Sequence, residues 1–214
     1  MNIAILGGTG KEGAGLGARW AQAGHAIIIG SRDEERARGK AVELRERTGR
    51  LTIIGHDNVE AARLGEVVVV ALPAAGLATT LPALRDACRG KVVVSTVVAL
   101  DFRGPRLFVP PSIGSSAEEV RSLLPDARVV AAFQHIAAHE LAELDQSLDC
   151  DLLMCGDDAE AKQTVSALGE SMGLRVVDAG PLANSGALEG ITALLATINR
   201  RYKLHHAGFR ITGL

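Results

Sequence analysis

The chain has 214 residues, 47% of them hydrophobic and 22% charged, and a net charge of −2. That length suits one large domain, or one domain with a small appendage, and it can bury a core without staples. The near-neutral balance gives no global signal for nucleic acid or membrane, and three cysteines without a C-x-x-C fit buried thiols of a reducing cytoplasm rather than a disulfide framework or a zinc site.

Met1 leads directly into Ile3-Ala4-Ile5-Leu6, an apolar run read as the first strand, with no basic leader before it. The pattern Gly8-Thr9-Gly10-Lys11-Glu12-Gly13 follows, then a helical stretch through Leu16, Trp20 and Ala23. Gly24-His25 turns the chain into a second apolar run, Ala26 to Gly30. A G-x-G-x-x-G between a strand and a helix, inside a unit of about thirty residues, is the setting of a dinucleotide-binding turn. Gly8 would permit the tight turn, Gly10 would admit a pyrophosphate to the main chain, and Gly13 would let helix and strand pack closely. The free N–H groups at the helix start would face the phosphates.

The end of the second strand selects the nucleotide. A site for NAD usually places an acid there to hold the ribose 2′-hydroxyl. Here stand Ser31 and Arg32, with Arg36 one helical turn further on. A hydroxyl and two guanidinium groups suit a 2′-phosphate, so NADP is the expected nucleotide. Asp33 and Glu34 read instead as negative charges in the first turn of the next helix.

That helix runs from Asp33 to Thr48, and a short strand, Leu51 to Ile54, follows it. Asp57 begins a short helix ending near Gly65. Val67 to Ala71 is a run buried on both faces of a parallel sheet, stopped by Leu72-Pro73. A helix from about Gly76 to Ala87 leads to a strand from Lys91 to Val98. Ligands in such sheets sit at the carboxyl ends of strands. Leu72-Pro73-Ala74 and Ser95 to Leu100 are therefore expected beside the cofactor.

Asp101 to Gly114, with Pro105, Pro110 and Pro111, reads as a long irregular loop of the kind that forms lids. Ser115 or Ser116 caps a helix, and Arg128 to Phe133 is a sixth strand. Gln134 to His139 lies at its end, before a helix from about Glu140. Asp151 to Cys155 is a seventh strand, Asp157-Asp158 caps a helix to about Met172, and Leu174 to Asp178 is the eighth. After Gly180-Pro181 the last helix carries the stripe Leu188, Ile191, Leu194, Leu195 and Ile198. Beyond Glu189 there is no acid, while Arg200, Arg201, Lys203 and Arg210 supply four cations.

These elements predict an α/β fold: a Rossmann-type, mostly parallel sheet of about eight strands with a short C-terminal helical appendage. Residues 1–180 would form the nucleotide-binding domain, and 181–214 the C-terminal helix and tail. No run is long and apolar enough to span a bilayer.

The whole chain resembles the F420-dependent NADP reductases. The resemblance rests on Ala4-Ile5-Leu6-Gly7-Gly8-Thr9-Gly10, Gly30-Ser31-Arg32, Cys155-Gly156-Asp157-Asp158, Asp178 to Leu182, and Arg210-Ile211-Thr212-Gly213. It implies reversible hydride transfer between NADPH and the deazaflavin coenzyme F420 by a cytoplasmic homodimer. Carried over by position, Thr9, Gly10, Lys11, Glu12, Ser31, Arg32, Arg36, Ala74, Val98 and Ala138 would touch NADP, and Ala207 the deazaflavin. Lys11-Glu12 and Ala74 depart from some relatives, and a carboxylate near a pyrophosphate is unexpected.

Hydride exchange between two rings needs them stacked with reacting carbons about 3–3.5 Å apart. The two coenzymes carry the chemistry, so neither a catalytic acid–base pair nor a metal is required. Small residues at Pro73-Ala74 and Ile136-Ala137-Ala138 would let flat rings approach. His135 and His139 read as helix-start or surface histidines rather than proton donors. F420 ends in a phosphate-linked oligoglutamate, so Arg103 with Arg106, or the tail with Arg210, would receive its charge. The rival readings are an NADPH-dependent flavin or ferric reductase and a non-catalytic NADPH sensor. A β-hydroxyacid dehydrogenase is excluded because too few residues follow the last strand for its helical domain.

Overall fold

In the computed structural model, which describes residues 1–214, the apolar runs become eight strands of one sheet. They are β1 (Asn2–Leu6), β2 (Ala26–Ser31), β3 (Ile53–Asp57), β4 (Val67–Val70), β5 (Val92–Ser95), β6 (Arg128–Ala132), β7 (Asp151–Gly156) and β8 (Arg175–Asp178). Their order across the sheet is β3-β2-β1-β4-β5-β6-β7-β8. All neighbours are parallel except β6 and β7, where Ala131 faces Cys155 in antiparallel register. The chain moves outward from β1 through β2 and β3, then returns to β4 on the other side of β1. That reversal opens a crevice at the carboxyl ends of the two strands.

The helices are α1 (Lys11–Gln22), α2 (Glu34–Thr48), α3 (Asn58–Leu64), the one-turn α4 (Leu77–Thr80) and α5 (Arg85–Cys88), α6 (Ser116–Leu123), α7 (Ala138–Ala142), α8 (Ala159–Glu170) and α9 (Ser185–Tyr202). Alternation along β1 divides the core into two layers. Ile3 and Ile5 face Leu16 and Trp20 of α1, Leu44 of α2, and Val165 and Leu168 of α8. Ala4 and Leu6 face the layer of Ala61, Leu77, Leu81, Val120 and Leu188. Trp20 is wholly buried, its indole N–H donates to the Leu168 carbonyl at 3.1 Å, and Phe133 stacks on it edge-to-face at 5.2 Å. Burying such a ring is worth about 1.5–3 kcal/mol, and its one polar atom is paired.

Three local expectations change. The third strand begins at Ile53, and Leu51 is exposed. Asp57, taken as a helix start, does cap α3, accepting from Val59 and Glu60 N–H at 2.8 and 3.0 Å. The helix expected over 76–87 is broken into α4 and α5 by a 3₁₀ segment, Leu81–Leu84, at Pro82, whose missing N–H and fixed ring interrupt the ladder. The fifth strand stops at Ser95 rather than Val98. The loop 101–114 is not shapeless: Leu100 bridges Phe108, the Asp101 N–H donates to Leu107 O at 2.8 Å, and Val109 N–H to Ala99 O at 3.0 Å.

The last helix is bolted to the sheet layer. Glu189 is wholly buried and accepts from the Ser116 and Ala117 N–H groups, both at 3.0 Å. Its carboxylate thus meets the positive end of α6. The tail returns along β7, with the Asp151 N–H donating to Phe209 O at 3.0 Å. Arg175 donates to the Asp151 carboxylate at 2.8 Å and to the Leu214 carbonyl, holding the chain end in place.

Candidate functional site

The crevice at the carboxyl ends of β1, β4, β5 and β6 is one cleft of about 1010 Å³. Its floor is the glycine turn. Gly7, rather than Gly8, makes the turn: its φ is +74°, and a Cβ there would lie 2.5 Å from Ala71 O. Gly8 is buried behind the turn, where a Cβ would stand 2.8 Å from Ile5 O, and it does not line the cleft. At Gly10 the open side faces the cleft, since an added Cβ meets only Gly7 O, at 3.3 Å. A Cβ on Gly13 would meet Gly8 Cα at 2.9 Å, so the helix sits directly on the turn.

Helices α2, α3, α6 and α8 each begin on a side chain that caps them: Asp33, Asp57, Ser115 and Asp158. Helix α1 begins on Gly10, which has none. Its first N–H groups thus remain available to an anion arriving from the cleft, the need a pyrophosphate meets.

At the far end of the cleft Ser31 is buried at the tip of β2, and Arg32 and Arg36 are exposed beside it. The acids next to them are committed elsewhere. Asp33 caps α2 by accepting from Arg36 N–H at 3.2 Å, and Glu34 pairs with Arg38 at 2.9 Å. Neither Arg32 nor Arg36 takes part in an ion pair. Two unpaired guanidinium groups beside a serine fit a phosphate on the ribose.

The opposite wall comes from the end of β6. Phe133 holds φ +72°, a conformation a bulky side chain rarely adopts. It presents Gln134, which is 6% exposed and whose amide nitrogen and oxygen have no partner. His135 is buried, stands 5.1 Å from the Phe209 ring, and places Nε2 3.1 Å from Asp151 O. Burial pushes its pKa down to about 4, against the pull of that hydrogen bond, so the ring is neutral near pH 7. It is a core histidine, not the surface or helix-start residue expected. His139 is exposed, with His205 at 5.7 Å.

Thr9, Gly10, Lys11, Glu12, Ser31, Arg32, Arg36, Pro73, Val98, Ile136, Ala137, Ala138 and Ala207 all line this cleft. Ala74 does not; it is packed against the second core layer. Ala207 is fixed by its N–H donating to Asn199 Oδ1 at 2.9 Å. Thr96 and Leu100 line it too, within the stretch Ser95 to Leu100 expected there, whereas sequence reading missed Gln134, Phe102 and the face of α9 made by Thr192, Leu195, Ala196 and Asn199. A helical stripe says that a face is covered, not that half of the cover is a ligand cleft. Arg210 stays outside: it pairs with Asp149 and lines a separate hollow with the C-terminal residues.

The sequence model of the family described as coenzyme F420-dependent NADP oxidoreductase matches residues 2–99. The F420-dependent NADP reductase of Methanocaldococcus jannaschii is 42% identical, covering 100% of this chain and 99% of its own. That of Methanothermobacter marburgensis is 39% identical, covering 100% and 99%. A crystal structure described as a putative F420-dependent NADP reductase from Arthrobacter superposes with a TM-score of 0.85 at 25% identity, covering 98% of each chain.

Proposed function

The chain belongs to the F420-dependent NADP reductases, and from that premise we propose which parts of the cleft serve each coenzyme. The protein transfers a hydride reversibly between NADPH and F420, the two ring systems supplying the redox chemistry. Thr9 to Glu12 line the phosphate stretch, with Gly10 open to it and the uncapped α1 facing it. Ser31, Arg32 and Arg36 hold the 2′-phosphate. Pro73, Val98 and Ile136 to Ala138 flank the nicotinamide, and Ala207 with α9 the deazaflavin. Gly8 lies behind the turn that Gly7 makes, and Ala74 packs on the second core layer beside the cleft.

The observation that carries the nucleotide assignment is the unpaired state of Arg32 and Arg36, while the neighbouring acids are occupied. The cleft walls supply orientation and exclude water; no acid or base of the chain is needed at the reacting carbons. Residues 1–180 serve as the nucleotide-binding domain and 181–214 as the part that completes the F420 side. The exposed Leu194, Ile198 and Tyr202 fall on one face of α9 and suit a homodimer contact. The setting is cytoplasmic, in keeping with three free buried cysteines. A ferric reductase is disfavoured because F420-dependent NADP reductases match along 99% of their own length; no helix here is long and apolar enough to cross a membrane.

The test is direct. Mixing the protein with NADPH and oxidised F420 should bleach the visible absorbance of the deazaflavin, and NADP with reduced F420 should restore it. A protein that binds NADPH yet leaves the absorbance unchanged in both directions would be the non-catalytic sensor instead.

A further inference from the structure

We propose that Glu12 takes up a proton as the nucleotide enters the cleft, and that its neutral carboxyl then donates a hydrogen bond to the bound molecule. The inference rests on the reading above that the glycine turn receives NADP(H). It concerns a residue whose charge is wrong for that role, since a carboxylate beside a pyrophosphate is repelled.

The geometry leaves one oxygen of the half-buried Glu12 unsatisfied. It stands in the first turn of α1 and lines the cleft between the glycine turn and Thr96. Its Oε1 is buried and has no hydrogen-bond partner. No lysine, arginine or histidine pairs with it. The glycine turn, the end of β4 and the end of β5 bring no titratable side chain to this part of the cleft. The end of β6 brings His135, which burial keeps neutral. On its own helix Lys11 is exposed, and Arg32, Asp33 and Arg36 lie at the far end beyond β2.

The carboxyl is therefore poised. Loss of water raises its pKa from 4.5 to about 7, with the Thr96 side chain pulling the other way. A nucleotide covering it removes more water and brings two phosphate charges nearby. Both effects favour the protonated form. The acid then has an O–H to donate, to a phosphate or ribose oxygen, where the carboxylate could only accept. Up to one proton from solvent is bound per nucleotide, approaching one above pH 7, and nothing is oxidised or reduced in that step. Above pH 7 the apparent Kd for NADP should rise, approaching about tenfold per pH unit.

The experiment is isothermal titration of NADP into the full chain, in pairs of buffers of different ionisation enthalpy, between about pH 6.5 and 9. The wild type should bind up to one proton per nucleotide and weaken as pH rises. Glu12→Gln keeps a donor without a charge, so its affinity should be flat above neutrality and exceed the wild type at the alkaline end. Ionisation of the 2′-phosphate is common to both and cancels in the comparison. A wild type with no proton uptake, or a Glu12→Gln protein with the same slope, overturns the proposal. If neither protein binds NADP, the nucleotide reading itself has failed. Thermal unfolding checks that Glu12→Gln is folded; should it not be, Glu12→Leu also lacks the proton and should show the same flat profile with weaker binding, and a slope surviving there overturns the proposal.

Discussion

At the scale of single residues, the proposed phosphate site and the acid limit of the fold can each be tested by one substitution. In the phosphate site proposed above, Arg32 would offer a charge-assisted contact worth about 1.5–3 kcal/mol, or roughly tenfold to a hundredfold in affinity. Arg32→Ala should lose that much NADP affinity while sparing NAD, a comparison read from the two Kd values; equal losses would remove the arginine from the phosphate site. His135 bears on stability. Its pKa is depressed in the folded state, to about 4 from 6.5, so the unfolded chain binds more protons in that window. The stability it contributes is present above about pH 6.5 and is lost as pH falls through about 4, amounting to ~3 kcal/mol. Urea unfolding should show that acid loss in the wild type and a shallower one in His135→Asn. Nothing in the sequence marked this histidine as buried, because its cover is Phe209 and the edge of β7, both distant in the chain.

Elements differ in how well their patterns foretold them. The runs of β1, β2 and β4 are buried on both sides and could be read directly from continuous apolar residues. The apolar stripe of α9 was legible as helix but not as a surface. Leu188 and Leu195 are buried, whereas Leu194 is 64% exposed and Ile198 40% exposed. One stripe therefore serves two purposes: an inner edge against the core and the cleft, and an outer edge that continues to Tyr202. Leu194→Glu places a charge on the outer edge. The expected outcome is dissociation to monomers in analytical ultracentrifugation, with the unfolding temperature nearly unchanged, since an exposed substitution usually moves stability by no more than about 0.5 kcal/mol. A variant that keeps the wild-type sedimentation coefficient would put any subunit contact on another face.

At the scale of the whole molecule, charge placement separates two candidate receivers for a polyanionic coenzyme. Arg210, the tail cation that the sequence made a candidate, is paired with Asp149 away from the cleft. Arg103 and Arg106 are exposed and unpaired on the loop whose Phe102 lines the cleft. Screening acts over about 8–10 Å in ordinary buffer. The KM for F420 should therefore rise with salt, and neutralising both loop arginines should flatten that rise without moving the KM for NADPH, whereas Arg210→Ala should leave it unchanged. The reverse pattern would return the role to the tail. The strand–turn–helix unit, the eight strands, the arginines at the end of β2 and the family were legible in the chain alone, because each is written in neighbouring residues: apolar periodicity, glycine spacing, a run of short motifs. Only the folded chain shows which glycine bends backward, which acids are spent on helix caps, which side of α9 meets the cleft, and that one carboxylate oxygen of Glu12 is buried without a partner. Those outcomes depend on residues brought together from distant strands, where burial and pairing are set by what the other side of the contact supplies.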